Sequence, residues 1–238
     1  MPSDRSGVLA GRIALITGAS RGIGAAVAKR FAAEGAHVIL AARTVGGLEE
    51  VDDAIRSKGG TATLVAVDLA DHGKIDQLGQ SIYDRFGRLD IAVGNAAMLG
   101  NLGPVAQFDP KTWDRVMSLN ATANYRLIRS LDPLLRAGDA GRAIFVTSGL
   151  ARSVMPFGGA YAVSKAALEM MVKLYAAEVA KSNLRVNLLD PGVVRTRLRA
   201  QGFPGEDPMR HPAPEEITGR FVELASPACT LHGEIVQA

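Results

Sequence analysis

Short apolar runs rich in β-branched residues alternate along almost the whole chain with longer segments of helical period. The runs predict strands at residues 13–17, 37–41, 63–67, 91–93, 143–147, 185–189 and 234–236. The segments between them predict helices at residues 22–34, 47–57, 74–86, 111–135, 161–180 and 214–225. Strands separated by helices need crossover connections, which place helices on both faces of a parallel sheet. We therefore expect a three-layer, doubly wound α/β fold with about seven parallel strands.

Composition narrows the class of protein. A chain of 238 residues with 47% hydrophobic and 21% charged residues can bury a sizeable core, so we expect one domain over residues 1–238. The single cysteine, Cys229, excludes an internal disulfide framework and a cysteine-based zinc cluster, and we predict no metal site. The net charge of +3 is too small and too dispersed to favour a nucleic-acid-binding protein.

Nothing in the sequence indicates export or a membrane span. Residues 1–11 are polar and lack the long apolar run of a signal peptide. The apolar stretches, such as residues 38–42, are far shorter than the roughly 20 residues that cross a bilayer. We expect a soluble cytoplasmic protein without a membrane partner.

A glycine-rich loop joins the first predicted strand to the first helix. Residues 17–24 read Thr-Gly-Ala-Ser-Arg-Gly-Ile-Gly. Glycines allow a tight turn and let the backbone approach a pyrophosphate, while the helix directs its N-terminal amides and dipole at the negative charge. The string alone also fits an ordinary turn, but its place inside an alternating βα chain favours a dinucleotide site.

The end of the second strand bears on the choice of cofactor. An acid there would bind the ribose hydroxyls of NAD, but the strand ends in Ala41-Ala42-Arg43. Arg43 and Arg21 together suit a 2′-phosphate, so we expect NADP(H) and keep NAD(H) as the alternative. The two arginines could instead be solvated loop residues. Asp68 and Leu69 could meet the adenine, although Asp68 could equally cap the following helix.

Three polar residues suggest proton transfer. Tyr161 and Lys165 lie four apart in a predicted helix and therefore share one face. A nearby ammonium favours the phenolate, so we expect Lys165 to lower the pKa of Tyr161 from about 10 toward neutrality. Ser148 ends the fifth strand, at the sheet edge where α/β folds bind ligands, and could stabilise charge on a carbonyl.

Taken together, these residues make the sequence resemble the short-chain dehydrogenase/reductase family in its small single-domain form, which has a Rossmann fold. The resemblance covers about residues 9–236 and rests on motifs in the family's order: Thr17-Gly18, Gly22-Ile23-Gly24, Asp68-Leu69, Asn95-Ala96-Ala97, Asn120, Ser148, Tyr161 with Lys165, and Pro191-Gly192 with Thr196.

The resemblance implies an NAD(P)-dependent oxidoreductase that moves hydride between nicotinamide C4 and a carbonyl or alcohol substrate. It implies that Tyr161 is the general acid or base, that Lys165 lowers the pKa of Tyr161 and binds ribose, and that Ser148 polarises the carbonyl. Asn120 would hold a water that links Lys165 to solvent. The expected cofactor-binding residues are Gly18, Ser20, Arg21, Gly22, Ile23, Gly24, Arg43, Asp68, Leu69, Asn95, Ala96, Tyr161, Lys165, Pro191, Gly192, Val194 and Thr196.

Substrate choice in this family lies mainly in a loop that corresponds to residues 193–214, which we expect to form a lid. Its apolar residues, with others after the fourth and fifth strands, suggest an apolar pocket: Met98, Leu99, Leu150, Met155, Phe157, Leu198 and Phe203. The lid also carries Arg195, Arg197, Arg199 and Arg210. They could steer an anionic 3-oxoacyl thioester to the site, or could be solvated charges.

Two departures from the family pattern affect these expectations. The usual Asn-Ala-Gly reads Asn95-Ala96-Ala97, and the chain ends at Ala238 without the usual Asp-Gly-Gly segment. The short tail leaves a tetramer in doubt, whereas the helices at 111–135 and 161–180 that form the family's other interface are retained, so we expect a homodimer. The alternative function is a non-catalytic dinucleotide-binding regulator on the same fold.

Overall fold

The computed structural model describes residues 7–238 and contains one parallel sheet of seven strands. The strands are β1 (Ile13–Thr17), β2 (His37–Ala42), β3 (Thr61–Ala66), β4 (Ile91–Gly94), β5 (Arg142–Val146), β6 (Arg185–Asp190) and β7 (Ile235–Gln237). Their spatial order is β3-β2-β1-β4-β5-β6-β7, so the order reverses between β1 and β4. The expected doubly wound α/β fold is confirmed.

Eight α-helices connect and cover the strands in the described residues. They are α1 (Gly22–Ala33), α2 (Val45–Arg56), α3 (His72–Phe86), α4 (Pro110–Met117), α5 (Ala123–Ala137), α6 (Gly159–Val179), α7 (Arg197–Gly202) and α8 (Thr218–Ala225). Residue types that favour helix termini lie at two of these helix ends. Asp109 caps α4, because its Oδ2 accepts a hydrogen bond from the Thr112 amide at 2.8 Å, and Gly87 ends α3 with φ of 70°.

Two separate cores lie on the two faces of the sheet. Ile16 and Leu40 pack in the core beneath α1, α2 and α8, whereas their chain neighbours Leu15 and Ile39 pack in the core beneath α3, α5 and α6. Successive side chains of a strand point to opposite faces, so a strand covered on both faces needs apolar residues at every position. This is why the strands are continuous apolar runs in the sequence.

The structure differs from the predicted helices in two places. The expected helix at 111–135 is interrupted by a π-helical turn, Ser118–Thr122, between α4 and α5. The loop expected at residues 193–214 contains α7, whose first turn is capped by Thr196 accepting from the Arg199 amide at 3.2 Å. Both features are too short to produce a helical period of their own.

Residues 1–6 of the segment expected to lack a signal peptide lie outside the described residues. Within residues 7–238, none of the helices combines the length and the apolar character that a membrane crossing requires.

Helices α3 and α5 approach each other closely at Gly79. A Cβ at Gly79 would lie 2.1 Å from Ser130 Oγ and 2.8 Å from the Ser130 carbonyl oxygen. We predict that Gly79→Ala lowers the free energy of unfolding by about 1–3 kcal/mol, because the helices must separate. Chemical denaturation measures the change. The matched control is Gly219→Ala in α8, where a Cβ meets no atom within 4 Å and should be neutral or stabilising. Equal effects of the two substitutions would contradict this account of the α3–α5 contact.

Candidate active site

A cleft of about 530 Å³ opens at the carboxyl edge of the sheet, across the point where the strand order reverses between β1 and β4. Ligands of open α/β sheets bind at this position. Its walls come from the loops after β1, β2, β3, β4, β5 and β6, and from α6 and α7. All the expected site residues line this cleft except Gly24 and Asn120.

The turn after β1 is built around its glycines. Gly18 and Gly22 have φ of 67° and 58°, which disfavours any residue with a side chain. A Cβ at Gly18 would lie 2.9 Å from Asn95 Nδ2, and one at Gly24 would lie 2.4 Å from the Gly18 carbonyl oxygen. Gly24 therefore serves the packing of α1 against the loop, whereas Gly18 and Gly22 expose backbone to the cleft. This bare backbone before α1 fits a pyrophosphate.

Asn95 ties the ends of β1 and β4 together. Its Nδ2 donates to the Thr17 carbonyl oxygen at 2.8 Å, and Thr17 Oγ1 accepts from the Asn95 and Ala96 amides at 2.9 and 3.1 Å. The extra methyl of Ala97, where the family usually has glycine, lies at the cleft wall. These bonds hold the glycine turn against the strand next to it.

Two arginines line the cleft close to the starts of α1 and α2. Arg21, at the N-cap of α1, and Arg43, after β2, both line it. Arg43 Nη1 lies 3.8 Å from Asp68 Oδ2, with the Arg43 side chain 62% exposed. Asp68 lines the cleft, and its Oδ1 accepts from the Ala70 amide at 3.0 Å. The N-cap of α3 is Asp71, so Asp68 does not cap that helix.

Ser148, Tyr161 and Lys165 converge on the middle of the cleft. Ser148 follows β5, and its Oγ accepts from the Leu150 amide at 3.3 Å. Tyr161 and Lys165 lie one turn apart on α6, with the Lys165 ammonium 5.8 Å from the centre of the Tyr161 ring. Lys165 Nζ donates to the Val146 carbonyl oxygen at 2.7 Å, so β5 also fixes the lysine.

Burial controls the ionisation of both groups. It raises the pKa of Tyr161, and a hydrogen bond with the Ser148 hydroxyl acts in the opposite direction but is the smaller effect. The expectation that Lys165 lowers the pKa of Tyr161 is therefore not met in this conformation, in which the ammonium contacts Val146 instead of the phenol. Burial also lowers the pKa of Lys165 to about 8, although the charges of Asp190 and Glu169 oppose it.

Asn120 does not reach the cleft. It lies in the π-helical turn, fully buried, where its Nδ2 donates to the Met98 carbonyl oxygen at 2.9 Å and to Ser164 Oγ at 3.0 Å. Its Oδ1 accepts from the Met98 amide at 2.9 Å. The side chain thus joins the loop after β4 to Ser164, the residue that precedes Lys165.

The turn after β6 brings the last group of expected residues to the cleft. Gly192 has φ of 66°, and its amide donates to Asp190 Oδ1 at 3.1 Å. Val194 is 4% exposed and packs in the core, while Thr196 begins α7 close to the glycine turn, 3.7 Å from where a Gly22 Cβ would lie. The start of α7 therefore faces the start of α1 across the cleft.

Comparisons with known proteins agree with this geometry. A family model described as short chain dehydrogenase matches residues 12–207. The chain belongs to the short-chain dehydrogenase family. The oxidoreductase YciK of Escherichia coli K12 is 37% identical over 216 residues, which cover 90% of this chain and 85% of YciK.

Two further relatives bear on ligands. A fatty acyl-CoA reductase of Acinetobacter baylyi is 39% identical over 80% of this chain and 65% of its own. A short chain dehydrogenase of Escherichia coli CFT073, solved in complex with NADPH, has a TM-score of 0.93 at 36% identity over 98% of both chains. Short-chain dehydrogenases bind nicotinamide dinucleotides, so the expected class of cofactor is confirmed.

Of the seven residues expected to form an apolar pocket, five line the cleft and two do not. Leu99, Leu150, Met155, Leu198 and Phe203 line the cleft. Met98 and Phe157, also expected there, are not among its lining residues, and Phe157 is exposed with φ of 68°.

One arginine of the loop at residues 193–214 is engaged within that loop. Arg199 donates to both carboxylate oxygens of Glu206, at 2.6 and 2.9 Å, and stacks 3.6 Å from the centre of the Phe203 ring. Hydrogen bonds from Arg199 and His211 lower the pKa of Glu206 to about 2. Arg199 is thus held by contacts within this loop and is not a free solvated charge. Arg197 is exposed and lines the cleft.

Sequence reasoning missed three charged residues next to the site: Arg152, Glu169 and Asp190. Asp190 lines the cleft, and its carboxylate and that of Glu169 both pair with Arg152. The signals were present, since Asp190 precedes Pro191-Gly192 and Glu169 follows Lys165 by four residues. Acidic residues are common at strand ends and on amphipathic helices, so neither position alone indicates a functional site.

The buried lysine makes stability depend on pH. Between about pH 8 and 10.5, the unfolded chain holds the Lys165 proton and the folded chain does not, so the free energy of unfolding rises with pH. We predict that any stability advantage of Lys165→Met over the native chain shrinks by about 2–3 kcal/mol from pH 7 to pH 10, as measured by urea unfolding. Lys173→Met, an exposed lysine of the same helix, serves as the control and should show no such trend. A pH-independent difference for Lys165→Met would contradict the lowered pKa.

Proposed function

We propose that this short-chain dehydrogenase is an NADP(H)-preferring enzyme that reduces a carbonyl to an alcohol, or catalyses the reverse. The observation that carries the proposal is the convergence of Ser148, Tyr161 and Lys165 on the cleft that begins at the glycine turn. A protein that only binds a dinucleotide has no need for a buried ammonium beside a buried phenol, because burying both costs stability.

The residues that would hold the cofactor follow from the cleft. The backbone at Gly18 and Gly22, with the first turn of α1, fits the pyrophosphate, while Asp68 and Leu69 fit the adenine. The turn at Pro191-Gly192 with Thr196 fits the carboxamide. When bound, the dinucleotide supplies or accepts the hydride, and the protein supplies position and a proton.

The proton is assigned to Tyr161. Ser148 donates a hydrogen bond to the substrate oxygen, and Tyr161 then gives that oxygen its proton during reduction. The raised pKa keeps the phenol protonated until it is needed. The Lys165 ammonium stabilises the phenolate that remains, and Asn120 acts as a positioning residue by fixing Ser164 on α6.

The preference for NADP over NAD rests on Arg21 and Arg43. Both line the cleft beyond β2, and the strand ends without an acid, so the adenosine ribose meets cations there. The structural relative from Escherichia coli CFT073 was solved with NADPH, which supports the same choice.

The substrate is assigned to the acyl thioesters, with 3-oxoacyl thioesters foremost. Residues 193–214 act as a lid in this proposal, and its Leu198 and Phe203 give the cleft an apolar wall that suits an acyl chain. Arg197 offers an exposed cation at the mouth for the anionic handle of such a substrate. The fatty acyl-CoA reductase among the relatives supports a thioester as well.

The active unit in this proposal is a homodimer of single-domain subunits. Helix α6 exposes Val163, Met170 and Leu174 on one face, with Met170 and Leu174 60% and 57% exposed, and α5 exposes Tyr125. Apolar side chains at this spacing on a helix surface suit packing against a second copy.

A panel of ketones, aldehydes and 3-oxoacyl thioesters with NADPH tests the activity, read by the loss of nicotinamide absorbance. We expect Tyr161→Phe to lose about 10²–10⁴-fold in turnover while NADPH binding is retained, since only the proton donor is removed. Tyr83→Phe, an exposed tyrosine of α3, is the control. Full turnover by Tyr161→Phe would remove this residue from proton transfer, and no turnover by the native chain would favour the regulator.

The phosphate contact is tested at Arg43. We expect Arg43→Asp to weaken NADPH by about 10-fold or more and NADH much less, because an acid repels the 2′-phosphate. The readout is the dissociation constant of each cofactor by fluorescence titration. Arg56→Asp, on α2 and 59% exposed, controls for the change in charge. Equal losses for both cofactors would argue against a 2′-phosphate contact.

The dimer is tested on the exposed face of α6. We expect Leu174→Glu to convert the dimer to a monomer in light scattering, because a carboxylate would be buried in the interface. Val105→Glu, an equally apolar and exposed position away from α6, should leave the assembly unchanged. A monomeric native chain would overturn the dimer.

A further inference from the structure

Arg152 lies in the loop after β5 and joins two carboxylates from different elements. Its Nη1 donates to Glu169 Oε1 on α6, and its Nη2 donates to Asp190 Oδ2 at the end of β6. The side chains of Glu169 and Asp190 are only 7% and 4% exposed, and that of Arg152 is 35% exposed. A buried carboxylate without a partner is costly, so this arginine is what makes the two acids tolerable there.

Each carboxylate also bonds to a segment that carries a proposed site residue. Glu169 Oε1 accepts from Thr147 Oγ1 at 2.7 Å, next to Ser148 in the chain. Asp190 Oδ1 accepts from the Gly192 amide at 3.1 Å, within the turn assigned to the carboxamide. Asp190 Oδ2 further accepts from Gln237 Nε2 of β7 at 3.3 Å. The three charged residues therefore connect β5, α6, β6 and β7 beneath the cleft.

The same carboxylates face Lys165. Glu169 lies one turn beyond it on α6, Asp190 approaches from β6, and both favour the charged ammonium. Tyr161 is the other titratable group against the lysine, on its own helix. Arg152 reaches it only through the carboxylates, from the loop after β5. Two cations and two anions thus lie together, and of the four side chains only that of Arg152 is substantially exposed to solvent.

We propose that Arg152, Glu169 and Asp190 form a buried ionic clamp whose charge balance sets the protonation of Lys165, and through it the pH range in which the enzyme works. The clamp residues are positioning residues, because they act through Lys165, Ser148 and the Gly192 turn. This inference rests on the proposed function for its effect on turnover, but its effect on Lys165 does not.

Two substitutions should move the pKa of Lys165 in opposite directions, because they remove charges of opposite sign. Asp190→Asn removes a negative charge that stabilises the ammonium, so Lys165 loses its proton at lower pH. Arg152→Gln leaves both carboxylates without their cation, so Lys165 keeps its proton to higher pH. A role limited to holding the fold would reduce stability in both variants and move the lysine titration in neither.

The experiment follows the ¹³Cε resonance of Lys165 against pH in the full chain. Its loss in Lys165→Met assigns the resonance. The pH profile of kcat/KM is measured on the same variants. We expect the lysine titration and the alkaline limb to move down by about one pH unit in Asp190→Asn and up by about one in Arg152→Gln. Arg152→Lys, which keeps the charge, should lie near the native chain. Arg220→Gln, which breaks an exposed pair with Glu223, is the matched control.

An unmoved titration in both variants, or shifts of the same sign, would overturn the clamp. Glu169→Gln provides a second carboxylate variant with the same expected sign as Asp190→Asn, should the latter not fold. Opposite shifts of the lysine resonance in a chain that reduces no carbonyl would retain the clamp and reject the proposed function. An active native chain whose lysine titration does not move in the variants would reject the clamp and retain the proposed function.

Discussion

The site depends on keeping an ammonium group in the interior of the protein. Lys165 is 2% exposed, and its charge is held by the Val146 carbonyl oxygen and by the fields of Glu169 and Asp190. Burial lowers the pKa of Lys165 to about 8, and without these groups it would lower that pKa further. These groups come from β5, β6 and α6, so the site depends on how two neighbouring strands and the helix over them are packed.

The parallel sheet makes that convergence possible. Carboxyl ends of parallel strands meet at one edge, so residues far apart in the chain, such as Gly18, Ser148 and Asp190, end up around one cleft. The reversal of strand order between β1 and β4 opens the cleft, because the connections on either side lead to opposite faces of the sheet. The Thr17–Asn95 bonds then keep the glycine turn next to β4 at the opening.

Much of this arrangement can be predicted from the sequence, because it depends on local patterns. The alternation of apolar runs and helical segments predicts all seven strands, and Gly87 and Asp109 mark real helix ends. The order of the glycine turn, Ser148, Tyr161 and Lys165 predicts which residues share the cleft. These features need only the periods of strands and helices and the conformations of glycine and capping residues.

Features that depend on tertiary contacts are not predictable in this way. The π-helical turn at Ser118–Thr122 is held by Asn120 bonding to Met98 and Ser164, which are distant in sequence. The engagement of Arg199 by Glu206, and of Arg152 by Glu169 and Asp190, likewise requires knowing which loops meet. Burial also reverses the sign expected for the pKa of Tyr161, because spacing along a helix says nothing of solvent access.

The proposed function requires that hydride pass directly from a nicotinamide to a carbonyl carbon in this cleft, while Tyr161 supplies only the proton on oxygen. The most direct measurement is isotope tracing with a carbonyl that the enzyme accepts. The carbonyl is reduced once with C4-deuterated NADPH in H₂O and once with unlabelled NADPH in D₂O. Mass spectrometry and NMR then locate the deuterium in the alcohol. The account predicts deuterium on the carbinol carbon in the first reaction, from one C4 diastereomer alone, and none there in the second. Deuterium delivered to that carbon from solvent, or from both diastereomers equally, would contradict it.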